Sequence, residues 1–172
     1  MVKALAESGL VKYEPYAGVR LTAAGEKLAA MVLRRHRLIE LFLVKVMGMS
    51  WTEVHDEAEH LEHAVSDRLI ERIDEMLGRP SVDPHGDPIP QPDGSIAAAA
   101  DRPLSECSAG EHFRVARVTD QSPEFLRYLS QSGLKIGAQG ALVAIDRAQG
   151  TMAIEIANQN CSLSRDAAAK LM

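Results

Sequence analysis

The sequence predicts an α+β protein in which a short helix and a hairpin precede a helical domain, a linker and a small β-barrel. Three observations support this prediction. Apolar residues recur at helical spacing between residues 22 and 78, Pro, Gly and Asp concentrate after residue 79, and alternating strand patterns follow from residue 113 onward. A chain of 172 residues has room for two small domains. We therefore expect boundaries at residues 1–21, 22–78, 79–100 and 101–172.

The first 21 residues are expected to form a wing beside a helix. Residues 2–8 have a helical pattern that Gly9 ends, and two short strand patterns follow on either side of Pro15 and Gly18. Residues 1–37 contain seven Lys and Arg against three Glu, so they carry +4 and leave −9 for the rest of a chain of net charge −5. A basic end on an acidic body is typical of a nucleic-acid-binding surface, although an ordinary solvated surface has the same composition.

Three helices are predicted in the second segment. Thr22 is expected to cap a long helix that runs to about Met47. Ser50 is expected to cap the second helix, and Ser66 the third, which covers residues 67–77. Trp51, at the start of the second helix, is expected to lie in a dimer interface, where aromatic side chains are enriched.

Residues 79–100 are expected to be a linker, ordered in the first half and mobile in the second, where Pro and Asp give way to alanines. Beyond the linker, Ser122 and Pro123 predict the start of a short helix that ends near residue 131. Strand patterns cover residues 113–118, 142–145, 152–156 and 161–163. Their lengths and the turns between them predict a small β-barrel.

Composition restricts the cellular setting. The two cysteines, Cys107 and Cys161, are far apart and have no metal-binding spacing, which indicates a reducing compartment without a disulfide framework. The sequence contains neither a signal-like start nor an apolar run long enough to cross a bilayer. We therefore expect a cytoplasmic protein that does not bind membranes.

A strip of potential metal ligands lies on the predicted second helix. At about 100° per residue, His55, Glu59, Glu62 and His63 fall within an arc of about 100°, beside an apolar stripe. Neighbouring carboxylates at the edge of a core are costly to bury unless a cation joins them. Imidazole and carboxylate ligands without a thiolate suit Mn(II), Fe(II) or Zn(II). The alternative is an acidic helix face in contact with water.

A second pair of residues favours the metal site. His36 and Glu40 lie four residues apart in the long helix, and residues so spaced share a face. Two adjacent helices that each offer His and Glu could hold one ion, or two ions that share carboxylates. The strip matches neither of the metallohydrolase motifs His-Glu-x-x-His and His-x-x-Glu-His, so we expect no enzyme and no small-molecule substrate.

Several motifs occur in the same order as in one known family. They are Met1-Val2-Lys3-Ala4-Leu5, Gly9-Leu10-Val11, Tyr16-Ala17-Gly18-Val19-Arg20-Leu21-Thr22, His36-Arg37-Leu38-Ile39-Glu40, His55-Asp56-Glu57-Ala58-Glu59, Leu61-Glu62-His63, Ser66-Asp67 and Pro84-His85-Gly86-Asp87-Pro88-Ile89-Pro90. With these motifs the chain resembles the diphtheria-toxin-repressor family of metal-dependent transcriptional regulators. The resemblance implies a homodimer with a winged helix-turn-helix, a three-helix dimerisation and metal domain, and a C-terminal SH3-like (FeoA-like) domain.

The resemblance also implies two ligand sets. Glu59, Glu62 and His63 match the main regulatory site of the family. The ancillary site is matched by His36, Glu40 and His55. Iron-sensing members commonly have Cys at the position of Glu59, whereas manganese-sensing members have Glu, and a carboxylate favours the harder Mn(II). The expected cofactor is therefore Mn(II), with Fe(II) as the alternative.

Further residues are carried over from the family more loosely. Gln121 and Glu124 are candidates for ancillary metal ligands, although they could equally solvate or cap the helix that follows. Lys3, Tyr16 and Arg20 are candidates for DNA contacts from the end of the recognition helix and the wing. A separate residue, His85, lies in a Pro-bounded turn, where local hydrogen bonding is expected rather than metal ligation.

The expected function is a manganese-sensing repressor that controls metal homeostasis. Family chains normally begin some tens of residues earlier, so Met1 would lie inside the recognition helix. Base contacts come from the N-terminal part of such a helix, and we therefore expect a truncated form that binds DNA poorly. Operator DNA is the expected partner of the full-length homodimer. The alternatives are an Fe(II)-sensing member and a metal- or protein-binding module without DNA binding.

Overall fold

The N-terminal part consists of a helix and a hairpin, as predicted. The structure, a computed structural model, describes residues 2–16, 18–98 and 101–172. Helix α1 (Val2–Glu7) precedes strands β1 (Val11–Glu14) and β2 (Gly18–Leu21), which pair antiparallel. Four positions, Met1, Ala17, Ala99 and Ala100, lie outside the described residues, so the parts of the expected recognition helix, wing and mobile linker that fall on them are not described.

Three helices follow, namely α2 (Ala23–Lys45), α3 (Val54–Glu62) and α4 (Asp67–Met76). The predicted caps Thr22 and Ser66 are confirmed, because each side chain accepts a hydrogen bond from the backbone N–H three residues later. The predicted cap Ser50 is wrong. A turn separates it from α3, which begins after Glu53 without a side-chain cap. Fully or nearly fully buried side chains of α2 and α3, among them Leu38, Ile39, Val54 and Ala58, form the centre of the helical core.

Residues 79–98 pack closely against this helical core in their first half. Ile89 is buried in the core, and an isolated bridge joins Val82 to Pro88. Arg34 of α2 is buried, and its guanidinium donates to the carbonyl of Pro90 and to the Asp74 carboxylate of α4. The ordered first half that the sequence predicts is therefore held to the helices by both apolar and charged contacts.

The C-terminal domain contains an open antiparallel sheet of four strands in the order β3-β4-β5-β6. Its elements are a short 3₁₀ helix (Leu104–Glu106), β3 (His112–Arg114), α5 (Pro123–Gln131), β4 (Gln139–Asp146), β5 (Thr151–Ile156), β6 (Gln159–Ser164) and α6 (Arg165–Ala169). The expected SH3-like fold is confirmed, but the closed barrel is not, because no pairing among the described residues joins β3 to β6. Leu126, Leu142, Ile154 and Leu163 lie in the core between the sheet and its helices.

The predicted strand over residues 113–118 is too long. Only β3 pairs with β4, because the backbone after residue 114 forms hydrogen bonds elsewhere: Ala116 donates to the carbonyl of Met172, and Val118 donates to the carbonyl of His85. This segment therefore connects the C-terminal domain to the loop that follows the helices. Within the described part of the chain, no helix is both long and apolar enough to cross a bilayer.

Candidate metal centre

Helices α2 and α3 together hold three ligand groups that we call the outer cluster: His36, Glu40 and His55. His36 Nε2 lies 3.1 Å from Glu40 Oε1 and 3.2 Å from His55 Nδ1. His55 Nδ1 is also 3.3 Å from Glu40 Oε1. One ligand atom from each of the three residues lies within 4.8 Å of the other two, which is close enough for all three to bind one ion.

The helix packing explains why these groups meet. His36 and Glu40 lie one turn apart on α2, and Leu38 and Ile39 between them are buried in the helical core. On α3, Val54 and Ala58 pack fully into the same core, so their neighbours His55 and Glu59 lie at its rim. The apolar contacts between the two helices thus position the polar groups beside them.

Of the three residues predicted for the main regulatory site, only Glu62 makes a close contact with the outer cluster. Its Oε2 lies 2.8 Å from His36 Nδ1. Glu59 is 3.7 Å from His55 Nε2, and its side chain is 64% exposed. His63 follows the last residue of α3 and is 80% exposed, although its Nε2 lies 3.3 Å from Glu62 Oε1. The structure thus brings Glu62 into contact with the outer cluster and leaves Glu59 and His63 exposed beside it.

A second group of potential ligands lies deeper in the protein, and we call it the inner cluster: Glu40, Asp83 and His85. All three residues are buried, and one ligand atom from each lies within 4.8 Å of the others. Glu40 belongs to both clusters, since Oε1 faces His36 and His55 while Oε2 lies 3.9 Å from His85 Nδ1.

His85 fits a metal site by its hydrogen bonding. Its Nε2 is 2.9 Å from the carbonyl of Trp51, which makes Nε2 the protonated nitrogen. Its buried Nδ1 has no hydrogen-bond partner in the part of the chain that the structure describes. A backbone carbonyl on one ring nitrogen commonly orients the other toward a metal. The expected local hydrogen bonding is present at the His85 backbone N–H, which donates to Asp83 Oδ1. Neither Asp83 nor the side chain of His85 is predicted as a ligand from the sequence, although their spacing in a Pro-bounded turn is a usable signal.

Burial and mutual contacts shift the pKa values of the clustered groups. Burial lowers the pKa of His36, but hydrogen bonds and charge from Glu40 and Glu62 outweigh it, so the net pKa is raised. Burial raises the pKa of Glu40, but the hydrogen bond and charge of His36, with smaller effects from His85 and His55, leave it lowered. Burial raises the pKa of Asp83 to about 6, an effect that the charge of His85 opposes and the charge of Glu40 strengthens.

Nitrogen and carboxylate oxygen are the only side-chain ligand atoms in the two clusters, and this donor set suits Mn(II), Fe(II) or Zn(II).

Residues 22–91 match the family described as the iron dependent repressor, metal binding and dimerisation domain, and residues 102–172 match the FeoA domain. A solved manganese-dependent transcriptional repressor in complex with manganese is 42% identical, with a TM-score of 0.88 over 99% of this chain and 79% of that one. The chain belongs to the diphtheria-toxin-repressor family of metal-dependent regulators.

Other members of the diphtheria-toxin-repressor family are also similar to this chain. The diphtheria toxin repressor of Corynebacterium glutamicum is 31% identical over 149 residues, and the iron-dependent repressor IdeR of Mycobacterium leprae is 36% identical over 116 residues. The aligned parts are 80% and 63% of this chain but only 65% and 50% of those proteins. The manganese regulator SloR matches with a TM-score of 0.80 at 35% identity, over 99% of this chain and 79% of that one. Members of the family are transcriptional repressors and not enzymes.

The two ligands predicted in the family's C-terminal domain have other contacts. Gln121 Nε2 donates to Asp87 Oδ2 at 2.8 Å, so its amide lies against the loop that carries His85. Glu124 is exposed at the start of α5, and its Oε1 lies 3.2 Å from Arg127 Nη2. Neither residue belongs to the inner or outer cluster in this structure.

The three residues predicted to contact DNA lie on the N-terminal helix and hairpin. Lys3 lies on α1 and is exposed. Tyr16 lies at the tip of the hairpin with a positive φ of 67° and a fully exposed ring. Arg20 lies opposite Lys12 across the β1–β2 pair, which places two cations beside each other on the exposed hairpin. The hairpin is therefore basic and accessible, and its contact with DNA stays a prediction.

Proposed function

We propose that this chain is the metal-binding and dimerisation part of a Mn(II)-responsive transcriptional repressor whose full-length homodimer acts on operator DNA. The observation that supports this most directly is the position of Glu40. One of its carboxylate oxygens faces His36 and His55 and the other faces His85, so a single buried anion would serve two neighbouring ions. A bound dication supplies positive charge that offsets the buried carboxylates of the two clusters.

The donor set supports Mn(II) over softer ions. No cysteine lies in either cluster, and Glu59, which lies beside His55, offers a carboxylate at the position where iron-sensing members commonly have Cys. Carboxylate and imidazole ligands suit Mn(II), whereas thiolate selects ions of higher sulfur affinity. Two solved structures that resemble this chain are described as manganese-dependent and as a manganese regulator. Fe(II) is the second candidate, because IdeR is described as iron-dependent.

The response to metal is a population shift. Glu40 lies on α2, and this helix continues directly from the wing through Thr22, whose hydroxyl donates to the carbonyls of Gly9 and Leu10. Metal binding that fixes α2 against α3 should therefore also restrict the position of the hairpin. The metal can favour the DNA-binding arrangement only by the difference between its affinities for the two arrangements.

Calorimetric titration with Mn(II) at pH 7.5 tests the metal assignment. We expect two Mn(II) ions per chain, and we expect Glu40→Gln to weaken both because the two clusters share this carboxylate. Glu57→Gln, an exposed acidic residue of α3 outside both clusters, is the matched control and should bind as the wild type does. Equal Mn(II) binding by Glu40→Gln and the wild type would overturn the proposal.

A competition experiment tests the choice of metal. Under anaerobic conditions, Glu59→Cys should shift the preference of the chain from Mn(II) toward Fe(II) and Zn(II), because the thiolate binds these ions more strongly. Fluorescence anisotropy with genomic DNA fragments selected in the presence of Mn(II) tests DNA binding. We expect a weak affinity that falls further with added chelator and with Arg20→Ala, whereas binding that does not change with chelator would contradict a metal-responsive repressor.

A further inference from the structure

The loop that carries two inner-cluster ligands lies between α2 and the C-terminal domain. We call residues 82–88 the metal loop. Its Asp83 and His85 side chains face Glu40 of α2. On its other side, the carbonyl of His85 accepts a hydrogen bond of 2.9 Å from the backbone N–H of Val118. The ligand-bearing loop is thus in direct contact with both domains.

Gly86 shows how close this contact is. Its φ is +87°, and a Cβ placed there would lie 2.0 Å from the carbonyl oxygen of Ala116, which no side chain can tolerate. The backbone of the C-terminal domain therefore packs against the backbone of the metal loop without an intervening side chain. A shift of the C-terminal domain would be transmitted to His85, the residue before Gly86.

Asp87 connects the metal loop to both domains by charge and hydrogen bonding. Its Oδ2 accepts a hydrogen bond of 2.8 Å from Gln121 Nε2 and lies 3.4 Å from Arg37 Nη2. Its Oδ1 lies 3.6 Å from Arg117 Nη1. Gln121 and Arg117 belong to the C-terminal domain and Arg37 to α2, so one carboxylate, only 17% exposed, joins all three.

The same residue also supports the inner-cluster ligand Asp83. The backbone N–H of Asp87 donates to Asp83 Oδ1 at 2.9 Å, and the carbonyl of Asp87 accepts from the backbone N–H of Asp83 at 2.9 Å. Arg37 lies between the two carboxylates, with Nε 3.6 Å from Asp83 Oδ2. Arg37 is therefore shared between the two carboxylates, and without Asp87 its guanidinium would be free to move closer to Asp83 and compete more strongly with a cation for it.

We propose that Asp87 is a positioning residue for the inner cluster, and that through it the C-terminal domain raises the affinity of this cluster for a divalent cation. The inference rests on the proposed function, because it takes the inner cluster to be a metal site. Residues that orient metal ligands commonly change affinity by about 10- to 100-fold when they are replaced. The effect is reciprocal, so a bound ion also stabilises the contact between the metal loop and the C-terminal domain.

Mn(II) titration of the full chain with changes in the C-terminal domain tests this inference. Gln121→Ala and Arg117→Met leave every inner-cluster ligand in place, yet each should weaken the inner site about tenfold and leave the outer site unchanged. Asp87→Asn should have a larger effect, and Asp87→Glu should restore part of the affinity. Arg127→Met is the matched control, since Arg127 is an exposed cation of the same domain whose ion pair within residues 2–16, 18–98 and 101–172 is with Glu124.

Hydrogen exchange provides a measurement that a merely structural role would not change. The backbone N–H of Val118, bonded to the carbonyl of His85, should exchange more slowly when Mn(II) is added to the wild type. In Asp87→Asn, we expect Mn(II) to have little effect on this exchange rate. A variant that is only less stable would show faster exchange at Val118 but would keep the Mn(II)-dependent slowing.

The possible outcomes separate this inference from the proposed function. If His85→Ala and the wild type bind Mn(II) with the same stoichiometry and affinity, the inner cluster is not a metal site and both the site and this inference fail. If His85→Ala loses one ion while Gln121→Ala and Arg117→Met bind as the wild type does, this inference alone is overturned. Selective tenfold weakening of the inner site supports it.

Discussion

His85 and Glu40 face each other within the protein core, with Nδ1 of the imidazole 3.9 Å from Oε2 of the carboxylate and no hydrogen-bond partner for this nitrogen among the described residues. The distance is too long for a hydrogen bond. It is suitable for two groups that bind a common ion from different sides, since each would lie about 2 Å from the metal. Burial of a nitrogen without a hydrogen-bond partner costs free energy of folding. Binding of this nitrogen to a metal would offset that cost.

The first prediction concerns the number of ions bound. We expect His85→Ala to bind one Mn(II) ion fewer than the wild type, because the inner cluster loses its only nitrogen ligand. His60→Ala is the matched control, since His60 is exposed on α3 and its ring nitrogen lies 2.6 Å from the backbone carbonyl of Asp56, outside both clusters. Crystals of both variants soaked in Mn(II) would be measured by anomalous scattering at the manganese edge. An anomalous peak retained beside Glu40 and Asp83 in His85→Ala would contradict the assignment.

The second prediction concerns pH. The raised pKa of Asp83, about 6, means that the folded chain holds this proton more tightly than the unfolded chain does. Its contribution to stability is present below the ordinary aspartate pKa of about 4 and is lost as the pH rises to about 6. Metal ligation requires the ionised carboxylate, so inner-site affinity should fall about tenfold for each pH unit below 6. Titrations between pH 5 and pH 8 measure this slope, and a flat profile would argue against ligation by Asp83.

Outer-cluster binding should respond to pH differently. Because the net pKa of His36 is raised, a proton competes with the metal at a higher pH than at an ordinary histidine. We therefore expect the outer site to lose Mn(II) first as the pH is lowered through neutrality. Mn(II) electron paramagnetic resonance of the wild type and His55→Ala, which lacks an outer ligand, distinguishes the two sites. Simultaneous loss of both ions at one pH would contradict this order.

Bound metal should also raise the thermal stability of the chain. Metal that binds the folded chain and not the unfolded chain should stabilise it by about 2.7 kcal/mol at a free concentration of 100 times Kd. Differential scanning calorimetry with Mn(II), and again after chelation, measures this change. Glu40→Gln should show a much smaller rise in melting temperature than Glu57→Gln. A chain whose melting temperature does not respond to metal or chelator would instead favour a plain interaction module.

Gly25 provides a prediction about the contact between wing and helix. In most helices Gly→Ala stabilises by about 1 kcal/mol, but a Cβ at Gly25 would lie 2.0 Å from the carbonyl oxygen of Leu10. We expect Gly25→Ala to cost about 1–3 kcal/mol in urea unfolding, because the hairpin must move away from α2. Ala24→Gly at the exposed neighbouring position measures the propensity effect alone. Stabilisation by Gly25→Ala would show that the hairpin can move away from α2 at little cost in free energy.

The buried ion pair of Arg34 and Asp74 gives the last prediction. Both side chains are less than 10% exposed, and their closest atoms lie 2.8 Å apart. Arg34→Met should cost about 3–5 kcal/mol, because it leaves the Asp74 charge buried without a partner. The double variant Arg34→Met/Asp74→Leu should recover most of this loss. If the single variant is as stable as the double variant, the pair does not hold α2 and α4 together.

The local features of the fold could be predicted from the sequence because they depend on neighbours along the chain. Thr22 and Ser66 are caps in the structure, and the four-residue spacing of His36 and Glu40 places them together. The prediction that Ser50 caps α3 is wrong because a turn separates Ser50 from this helix. The short helix α6, five residues long, was not predicted, since its alanine-rich sequence has no amphipathic pattern that marks a helix.

Features that depend on tertiary structure could not be predicted in the same way. Glu40 and Asp83 are more than 40 residues apart, and their proximity arises only when the metal loop folds back onto α2. The segment after β3 alternates like a strand, yet its hydrogen bonds go to Met172 and His85 because the C-terminal domain packs on that loop. The contact between Trp51 and the C-terminal domain is also tertiary, since its indole donates to Ser130. Its place in a dimer interface stays a prediction.

The position of Trp51 has a practical consequence. It is the only tryptophan of the chain, its ring is stacked on His85 with centroids 5.8 Å apart, and its indole N–H bonds across to Ser130. Ultraviolet emission from the protein therefore arises largely from one chromophore located between the two halves of the molecule. Separation of these halves would expose the indole to water and shift its emission to longer wavelength. The intrinsic fluorescence of the unlabelled chain therefore reports domain movement.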